Sequence, residues 1–381
     1  MIRLFFSLWY NNKNLQASKL DKYGVINVSQ NSVRLWKVDP LRPDGKIIQQ
    51  AALILRSGGL VAFPTETVYG LGANAFDREA LAGIFRVKGR PQDNPLIVHV
   101  ADRKTVFQLA AEVPQKALIL METFWPGPLT VILPKSPLIP DEVSAGLNSV
   151  ALRMPAHPVA LELIREAGIP VAAPSANLSG RPSPTTAGHV LKDLGAMIDA
   201  VLDGGPADLG LESTVVDLTV TVPAILRPGG VTPEEISRVI GELQLDFLLT
   251  EECDLNTAPV RSPGMKYKHY APEAPLFIVE GEPLKVSRRL GELLRQYLDE
   301  GKKVGVLAYE EDAGLYGCGE VIIAGRRREP AGVAARLYSA LRHFDELGVD
   351  VILAEGMDSK GLGLAIMNRL YRAAGGRVIR V

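Results

Sequence analysis

Four cationic side chains stand at the ends of apolar runs or helical stretches in this 381-residue chain. Lys88 and Arg90 flank a glycine in VKGRPQDNP, Arg153 ends the run SVALR, and Arg227 ends AILR. Guanidinium groups present a planar fork to phosphate or carboxylate oxygens, and lysine supplies a mobile point charge. A solvated charge pair is the alternative for Lys88 and Arg90, but the neighbouring glycine and proline fix the loop and favour an anion site. Arg153, among apolar neighbours, needs an anionic partner, either a structural salt bridge or a substrate carboxylate.

Hydroxyl and amide side chains gather in three loops, each of which adjoins an apolar run. PTETVYGLG directly follows LVAF, PSANLSGRPSPTT follows PVAA, and EST precedes VVDL. Such donors suit a polyphosphate and a ribose, although each loop alone is also compatible with a capped turn or a surface loop. Because open α/β sheets bind ligands at strand ends, the repeated pattern predicts one cleft lined by hydroxyls, an amide and several cations. The residues concerned are Thr65, Glu66, Thr67, Ser175, Asn177, Ser179, Arg181, Ser183, Thr185, Ser213 and Thr214.

The composition of that cleft favours an anionic nucleotide over a metal or an acid–base mechanism. The chain has no Ser-His-Asp spacing, no HExxH and no cysteine nucleophile. Reaction on a phosphate by positioning and charge neutralisation, without a covalent enzyme intermediate, fits what remains. Asn94 and His99 flank the strand that follows Arg90, and a lone histidine there is more often a core residue than a ligand.

Bulk composition is that of a soluble globular protein, with 47% hydrophobic and 22% charged residues and a net charge of −1. The missing basic bias disfavours a protein that grips nucleic acid over its whole surface. Cys253 and Cys318 form no metal-ligand or disulfide spacing, so we expect free thiols in a reducing cytoplasm. No apolar run reaches the roughly 18 residues of a membrane span. Residues 1–36 are expected to be a poorly ordered extension or a misplaced start, with a targeting role as the alternative.

Alternating helical and extended patterns fill residues 37–249. IIQQAALILRSG, DREALAGIFRVKG and TPEEISRVIG predict helices, with Asp77 as an N-cap, Gly89 as a stop, and Thr232 with Glu235 as a capping box. LVAFP, PLIVHV, PLTVILP, VALRMP and PVAAPSAN predict strands bounded by proline or glycine. These elements indicate an α/β unit whose strand ends carry the polar loops.

A polar stretch at 250–272, punctuated by proline and glycine, predicts a linker. Short apolar strands alternate with helices over 273–381, which predicts a smaller Rossmann-like unit with a parallel sheet. This unit has no GxGxxG after its first strand and no P-loop, so its fold indicates no cofactor. SKGLGLAIMNRL predicts a helix that carries Asn368 and Arg369, and a packed helix start is favoured there over a phosphate site.

Eight ordered motifs together resemble the YrdC-type threonylcarbamoyl-AMP synthases in their long form, which has a linker and an extra C-terminal domain. The motifs are PTETVYGLG, KGRPQDNPLIVH, WPGPLT, ALRMP, PSANLSGRPSPT, EST, RPG and SPGMKYKHYAP. They cover nearly everything after residue 36, and their common order is specific although each motif alone is weak. The resemblance implies an α/β fold in which a twisted open sheet curves around a deep, positive cavity.

The resemblance also implies a reaction. The family condenses L-threonine, bicarbonate or carbon dioxide, and ATP into threonylcarbamoyl-AMP, and pyrophosphate is released. Partner proteins then pass the threonylcarbamoyl group to the adenosine beside the anticodon of certain tRNAs, so contact with tRNA is expected to be indirect. Mg²⁺ is expected with ATP as substrate, and neither a tightly bound cofactor, nor a metal site in the protein, nor a membrane partner is expected. The implied location is the cytoplasm.

By the same resemblance, the polar residues divide between two substrates. Lys88, Arg90, Ser175 and Asn177 match the central tetrad of the family, to which we assign the catalytic role. Arg153 is the expected partner of the threonine carboxylate, and the linker is expected to close over the cleft as a lid. The threonine contacts are expected to be Thr67, His99, Arg153, Ser175 and Ser213. The ATP contacts are expected to be Lys88, Arg90, Asn94, Ser149, Asn177, Ser183, Thr185, Arg227, Tyr267 and His269.

Two other functions would use the same features. An RNA-binding module could apply a basic cavity directly to tRNA, but the near-neutral charge and the lack of basic or aromatic stripes disfavour it. A carbamoyltransferase of the hydrogenase-maturation type shares this kind of domain. Such chains carry zinc-finger cysteine pairs, and the two isolated cysteines here cannot form them.

Overall fold

The computed structural model describes residues 33–246 and 270–381. Predictions that fall on residues 1–32 and 247–269, including Tyr267, His269 and most of the linker, lie outside the described residues. The strands are β1 Arg34–Lys37, β2 Val61–Phe63, β3 Gly70–Asn74, β4 Ile97–His99, β5 Leu129–Pro134, β6 Ser149–Arg153, β7 Val171–Ala172, β8 Ala200–Asp203, β9 Thr214–Asp217, β10 Ala224–Arg227, β11 Gln244–Leu245, β12 Leu276–Glu280, β13 Val304–Tyr309, β14 Glu320–Gly325, β15 Val351–Glu355 and β16 Val378–Arg380. The α-helices are α1 Gly45–Arg56, α2 Arg78–Lys88, α3 Val106–Leu109, α4 Gln115–Phe124, α5 Asp141–Ser144, α6 Pro158–Ala167, α7 Ala187–Leu194, α8 Pro233–Ile240, α9 Pro283–Asp299, α10 Pro330–Leu347 and α11 Leu362–Ala374, with 3₁₀ turns at Gly195–Met197 and Ala313–Tyr316.

The first unit, residues 33–246, is built on a mixed sheet in the order β1-β8-β2-β3-β7-β4-β6-β5-β9-β10-β11. The sheet combines parallel pairs, such as β4 with β6, and antiparallel pairs, such as β5 with β6. Separate apolar clusters pack around the sheet, one with Leu81 and Leu120 and another with Leu55 and Leu163. The predicted combination of a large open α/β sheet and a smaller parallel sheet is confirmed.

Helix boundaries in the first unit follow the sequence signals. The Asp77 side chain accepts hydrogen bonds from the backbone of Glu79 and Ala80 at the start of α2, and Gly89 ends that helix in the left-handed conformation. Thr232 and Glu235 form the reciprocal capping box of α8. These local predictions are confirmed because each depends on residues within one helical turn.

The first strand corrects the boundary predicted at residue 36. β1 pairs in parallel with β8, and Trp36 lies opposite Leu202 with its side chain buried. Residues 34–36 therefore belong to the sheet and not to an N-terminal extension. The strand has four residues and only Trp36 among them is fully buried, so it carries no periodic pattern that could be identified from sequence.

The loop predicted at PTETVYGLG is a loop only over its first part. Residues 70–74 form β3, which pairs antiparallel with β2 and with β7. A side chain at Gly72 would collide with Phe63 and Val171, so glycine is needed where these strands approach closely. Strand propensity did not predict β3 because glycine normally disfavours strands.

The second unit, residues 270–381, has a wholly parallel sheet in the order β14-β13-β15-β12-β16. Its predicted strands and helices are confirmed, and β16 is an additional strand. Its apolar core includes Leu337 and Phe344 of α10 and continues onto Val68 and Leu211 of the first unit. The two units are therefore packed together through a shared apolar cluster.

Candidate active site

A cavity lies at the strand ends of the first unit and is open to solvent at its mouth, with about 650 Å³ of space inside and in front of its lining residues. Nine of the residues predicted from the sequence line it together: Thr65, Thr67, Arg90, His99, Arg153, Ser175, Asn177, Ser213 and Arg227. The predicted convergence of separate strand ends on one hollow is thus observed, while the ligand contacts assigned to these residues stay predictions.

Two strands bring His99 and Arg153 side by side. They are direct partners in the parallel register of β4 and β6, each at the last position of its strand. Burial, and next the charge of Arg153, lower the pKa of His99 to about 3. The imidazole is therefore neutral at physiological pH and can serve as a hydrogen-bonding group without adding charge.

Arg153 has a protein anion beside it. Its Nη2 donates to Oε1 of Glu66 at 2.7 Å, and its Nε lies 3.4 Å from the carbonyl oxygen of Gly127. The structural salt bridge that the sequence left open is therefore present. A substrate carboxylate at the same guanidinium would have to share it with Glu66 or displace Glu66.

The threonine-rich turn next to β2 is held by its own hydroxyls. Thr65 Oγ1 donates to the carbonyl oxygen of Val68 at 2.6 Å and accepts from the backbone nitrogens of Thr67 and Val68 at 3.2 Å. Its hydroxyl also lies 2.7 Å from Thr67 Oγ1. This turn fixes Thr67 on the cavity wall, so the capped turn is present and Thr67 still faces the cavity, while its contact with a ligand stays a prediction.

Ser213 and Arg227 form a second polar corner. Arg227 Nη2 donates to Ser213 Oγ and its Nε donates to the Ser213 carbonyl, both at 3.1 Å. Ser213 Oγ also lies 2.8 Å from Thr130 Oγ1. The close approach of Gly229 to the backbone of residues 212–214 leaves no space for a side chain there, which holds the RPGG loop against the EST segment.

Lys88 is placed differently from the other members of the predicted tetrad. It is buried at the end of α2 outside the cavity lining, and its Nζ donates to the carbonyl oxygens of Ser175 and Asn177. Burial, and next the charge of Arg90, hold the pKa of Lys88 well below its usual range. In this arrangement Lys88 supports the backbone that presents Ser175 and Asn177.

Arg90, by contrast, lines the cavity. Its Nη2 donates to the carbonyl oxygen of Pro95 at 3.0 Å, while its Nε is 3.3 Å from that of Asn94. Burial, the largest effect, lowers the pKa of Arg90 to about 10, so the guanidinium is still protonated at neutral pH. The Asn94 side chain is buried nearby, outside the lining, and neither of its polar atoms has a hydrogen-bond partner among the described residues.

Three more of the predicted ATP contacts that fall within the described residues do not line the cavity. Ser149 begins β6 at the end opposite Arg153, which is about 13 Å away along an extended strand. Ser183 donates to Oε1 of Glu212, and Thr185 Oγ1 lies 3.0 Å from Ser339 Oγ in the second unit. Ser183 and Thr185 therefore lie behind the wall rather than on it.

The sequence analysis missed two residues with polar side chains that do line the cavity, Glu212 and Tyr270. Glu212 stands next to Ser213 in the EST motif, so its position in that motif was the available signal. Tyr270 ends the HY pair of the linker motif, one residue after His269, and has a positive φ of 64°. Its neighbourhood could not be predicted because Tyr338 and Arg369, which contact its ring, lie far along the chain.

Neither a metal centre nor a membrane segment is found in residues 33–246 and 270–381. No group of three or more His, Cys, Asp and Glu side chains in those ranges is placed to hold a metal ion. None of the helices there has both the length and the apolar character needed to cross a membrane.

Family models match both units of the chain. The model described as "Telomere recombination", for the Sua5, YciO and YrdC proteins, matches residues 53–229. The model described as "Threonylcarbamoyl-AMP synthase, C-terminal domain" matches residues 231–375. The fold and the site therefore define the chain as a two-unit protein of the Sua5 class.

Full-length relatives extend this match. The chain is 54% identical to the threonylcarbamoyl-AMP synthase of Bacillus subtilis over 90% of its own length and 97% of the relative, and 50% identical to that of Pyrococcus abyssi over 94% and 99%. The crystal structure of P. abyssi Sua5 complexed with L-threonine superposes with a TM-score of 0.85 at 50% identity, covering 91% of this chain and 99% of that one. The chain belongs to the threonylcarbamoyl-AMP synthase family and is an enzyme of that class.

Proposed function

We propose that this enzyme condenses L-threonine, bicarbonate or carbon dioxide, and ATP into threonylcarbamoyl-AMP and pyrophosphate. The observation that carries the proposal is the single cavity shared by Thr67, His99, Arg153, Ser213, Arg90 and Asn177. It combines a cation and neutral donors suited to an amino acid with further cations suited to a triphosphate. A relative that is 50% identical has been crystallised with L-threonine.

Threonine recognition is assigned to the corner where β4 and β6 end. Arg153 would pair with the substrate carboxylate, while Thr67, Ser213 and neutral His99 would supply hydrogen bonds without adding a second charge. Two oppositely charged groups already meet at Arg153 and Glu66. The substrate carboxylate would therefore enter a site that is built for an anion and partly filled by one.

The chemistry assigned to the cavity is carbamate formation followed by adenylation. The threonine amine, once deprotonated, attacks carbon dioxide, and the resulting carbamate oxygen attacks the α-phosphorus of ATP. The bond from that phosphorus to the bridging oxygen breaks and pyrophosphate leaves. Arg90 and Arg227 would stabilise the charge that develops on the phosphates, and Ser175 and Asn177 would position the reacting groups. Mg²⁺ would enter as part of the ATP substrate.

An enclosed site would also protect the product. Exclusion of water limits hydrolysis of a labile carbamoyl adenylate. Tyr270 forms part of the wall, and Tyr267 and His269 are assigned with it to a lid over the nucleotide. The product would then pass to cytoplasmic partner proteins that transfer the threonylcarbamoyl group to the adenosine next to the anticodon of tRNA.

The test is threonine-dependent release of pyrophosphate by the purified full-length protein. Incubation with ATP, Mg²⁺ and isotope-labelled bicarbonate should give pyrophosphate and a labelled adenylate only when threonine is present. Serine, which lacks the methyl group, and Arg153→Met serve as substrate and protein controls. Pyrophosphate release that ignores threonine would contradict the proposal, and a salt-dependent RNA shift without ATP turnover would favour direct RNA binding instead.

A further inference from the structure

We propose that Arg369 and Tyr338, both in the second unit, are positioning residues for the cavity of the first. They bind the carboxylate of Glu212 and thereby compete for it with Arg227, which is assigned to the nucleotide. The second unit would then tune the affinity for ATP. This inference rests on the proposed function, because it specifies which groups set the charge around Arg227 in that same site.

The Glu212 carboxylate accepts hydrogen bonds from groups behind the cavity wall. Arg369 Nε donates to its Oε2 at 2.7 Å, and the Tyr338 hydroxyl is 2.8 Å from the same oxygen. Ser183 donates to its Oε1. Tyr338 lies on α10 and Arg369 on α11, and both side chains are fully buried. Their bonds to Glu212 therefore lie in the protein interior and do not form a surface ion pair.

Arg369 ties together the two segments that form the Ser213–Arg227 corner. Besides Glu212, it binds the carbonyl oxygen of Pro228, to which its Nη2 donates at 2.9 Å. Glu212 precedes Ser213 and Pro228 follows Arg227, so a single guanidinium from the second unit spans both sides of this corner. Its position can therefore set the spacing of that corner directly.

The charge balance gives Arg369 a specific task. Burial alone would raise the pKa of Glu212, but Arg369 and then Arg227, with the Ser183 hydrogen bond, bring it below its usual range. Glu212 is thus a carboxylate near two guanidinium groups. Because Arg369 holds one oxygen by a short charge-assisted bond, it competes with Arg227 for the same anion.

Tyr270 connects this cluster to the linker. Its ring stacks on Tyr338 with the centroids 5.3 Å apart, and the Arg369 guanidinium lies 5.5 Å from the centre of the Tyr270 ring. Tyr270 lines the cavity on its other side. The pair that binds Glu212 therefore also fixes the aromatic wall of the site.

The experiment measures KM for ATP and for threonine in full-length variants. Arg369→Met keeps the apolar length of the side chain and removes the charge, so Glu212 should turn to Arg227 and KM for ATP should rise about tenfold. KM for threonine should change less than about threefold. Adding Glu212→Gln to Arg369→Met removes the competing anion and should recover most of the ATP affinity, a rescue that a purely structural role of Arg369 does not predict.

Arg342→Met is the matched control. Arg342 is likewise buried on α10 and pairs with Asp193 of the first unit at 2.6 Å, but neither residue lines the cavity. It should weaken docking of the two units while KM for ATP moves less than about threefold. The proposal would be overturned by an equal rise of KM for ATP in Arg369→Met and Arg342→Met, or by an unchanged KM for ATP in Arg369→Met. It would also be overturned if adding Glu212→Gln to Arg369→Met did not lower KM for ATP again.

Two further measurements keep the outcome clear. If Arg369→Met does not fold, Tyr338→Phe removes only the phenolic donor and should raise KM for ATP about threefold. If the wild-type chain gives no threonine-dependent pyrophosphate, the proposed function fails first. The same variants are then compared by calorimetric titration with a non-hydrolysable ATP analogue, where equal dissociation constants for wild type and Arg369→Met would overturn the positioning role.

Discussion

Arg153 Nη2 lies 2.7 Å from Glu66 Oε1, and the two side chains are only 5% and 13% exposed. The second oxygen of Glu66 is buried and has no hydrogen-bond partner among the described residues. Arg153, which is assigned to the substrate carboxylate, is thus already paired with Glu66. One oxygen of Glu66 lacks a hydrogen bond within the described residues. Threonine binding and this ion pair are therefore expected to be coupled.

Replacing Glu66 tests that coupling. Glu66→Gln keeps the size of the side chain but leaves Arg153 without its anion, which should lower the free energy of unfolding by about 1–3 kcal/mol. A bound threonine carboxylate would supply the missing charge. Saturating threonine should therefore raise the melting temperature of the variant more than that of the wild type, as measured by calorimetry.

Glu142→Gln is the control for this substitution. Glu142 also has one buried oxygen without a partner and pairs with an arginine, Arg78, but both lie away from the cavity. The rise in melting temperature that threonine causes in Glu142→Gln should equal the rise in the wild type. Equal threonine-induced shifts for Glu66→Gln and wild type would show that Glu66 and the substrate do not compete for Arg153.

Replacing Lys88 and replacing Arg90 should have different effects on stability and on KM. Lys88→Met leaves the buried carbonyl oxygens of Ser175 and Asn177 without their donor, at a cost of about 2 kcal/mol or more. It should therefore lower stability and raise KM for both substrates. Arg90→Met should mainly raise KM for ATP. Unfolding curves and two-substrate kinetics distinguish the pair, and identical profiles would contradict the placement of Lys88 behind the wall.

Buried His99 predicts a pH dependence of stability. Its pKa falls from an ordinary 6.5 to about 3 in the folded protein, so between these values the unfolded state binds one proton more. The contribution of neutral His99 to the free energy of unfolding is complete above pH 6.5. Below that value it is lost by about 1.4 kcal/mol per pH unit. His99→Gln should remove this part, so its stability should fall less steeply than wild type between pH 6.5 and 5.

Denaturant unfolding of wild type and His99→Gln at several pH values measures this difference in slope. A wild-type slope in His99→Gln would mean that His99 does not change its protonation between the folded and unfolded states.

The linker gives a fourth prediction. Deleting residues 262–272 should abolish most product formation while both units stay folded, because it removes the proposed lid together with Tyr270. Tyr270→Ala isolates the part of this effect that belongs to the cavity wall and should raise KM for ATP with a smaller loss of turnover. Product formation at the wild-type rate after the deletion would refute the lid.

Local sequence signals were sufficient where neighbouring residues alone determine the structure. The capping of α2 by Asp77, its end at Gly89 and the capping box of α8 were all predicted from a few adjacent side chains. The strand β3 was not predicted from local signals. Glycine at position 72 is needed there because Phe63 and Val171, which come from other strands or their ends, leave no room for a side chain. β1 was missed because its burial depends on pairing with the distant β8.

The sequence by itself determined the α/β class, the two units, and the polar residue types at each strand end, since periodicity and turn chemistry act over short ranges. It could not decide which of those residues share a wall. Only the tertiary structure placed Lys88 behind the cavity, joined Arg153 to Glu66, and brought Arg369 from the second unit onto Glu212. Burial and charge pairing depend on groups that are far apart in the chain, so they are settled only when the chain is folded.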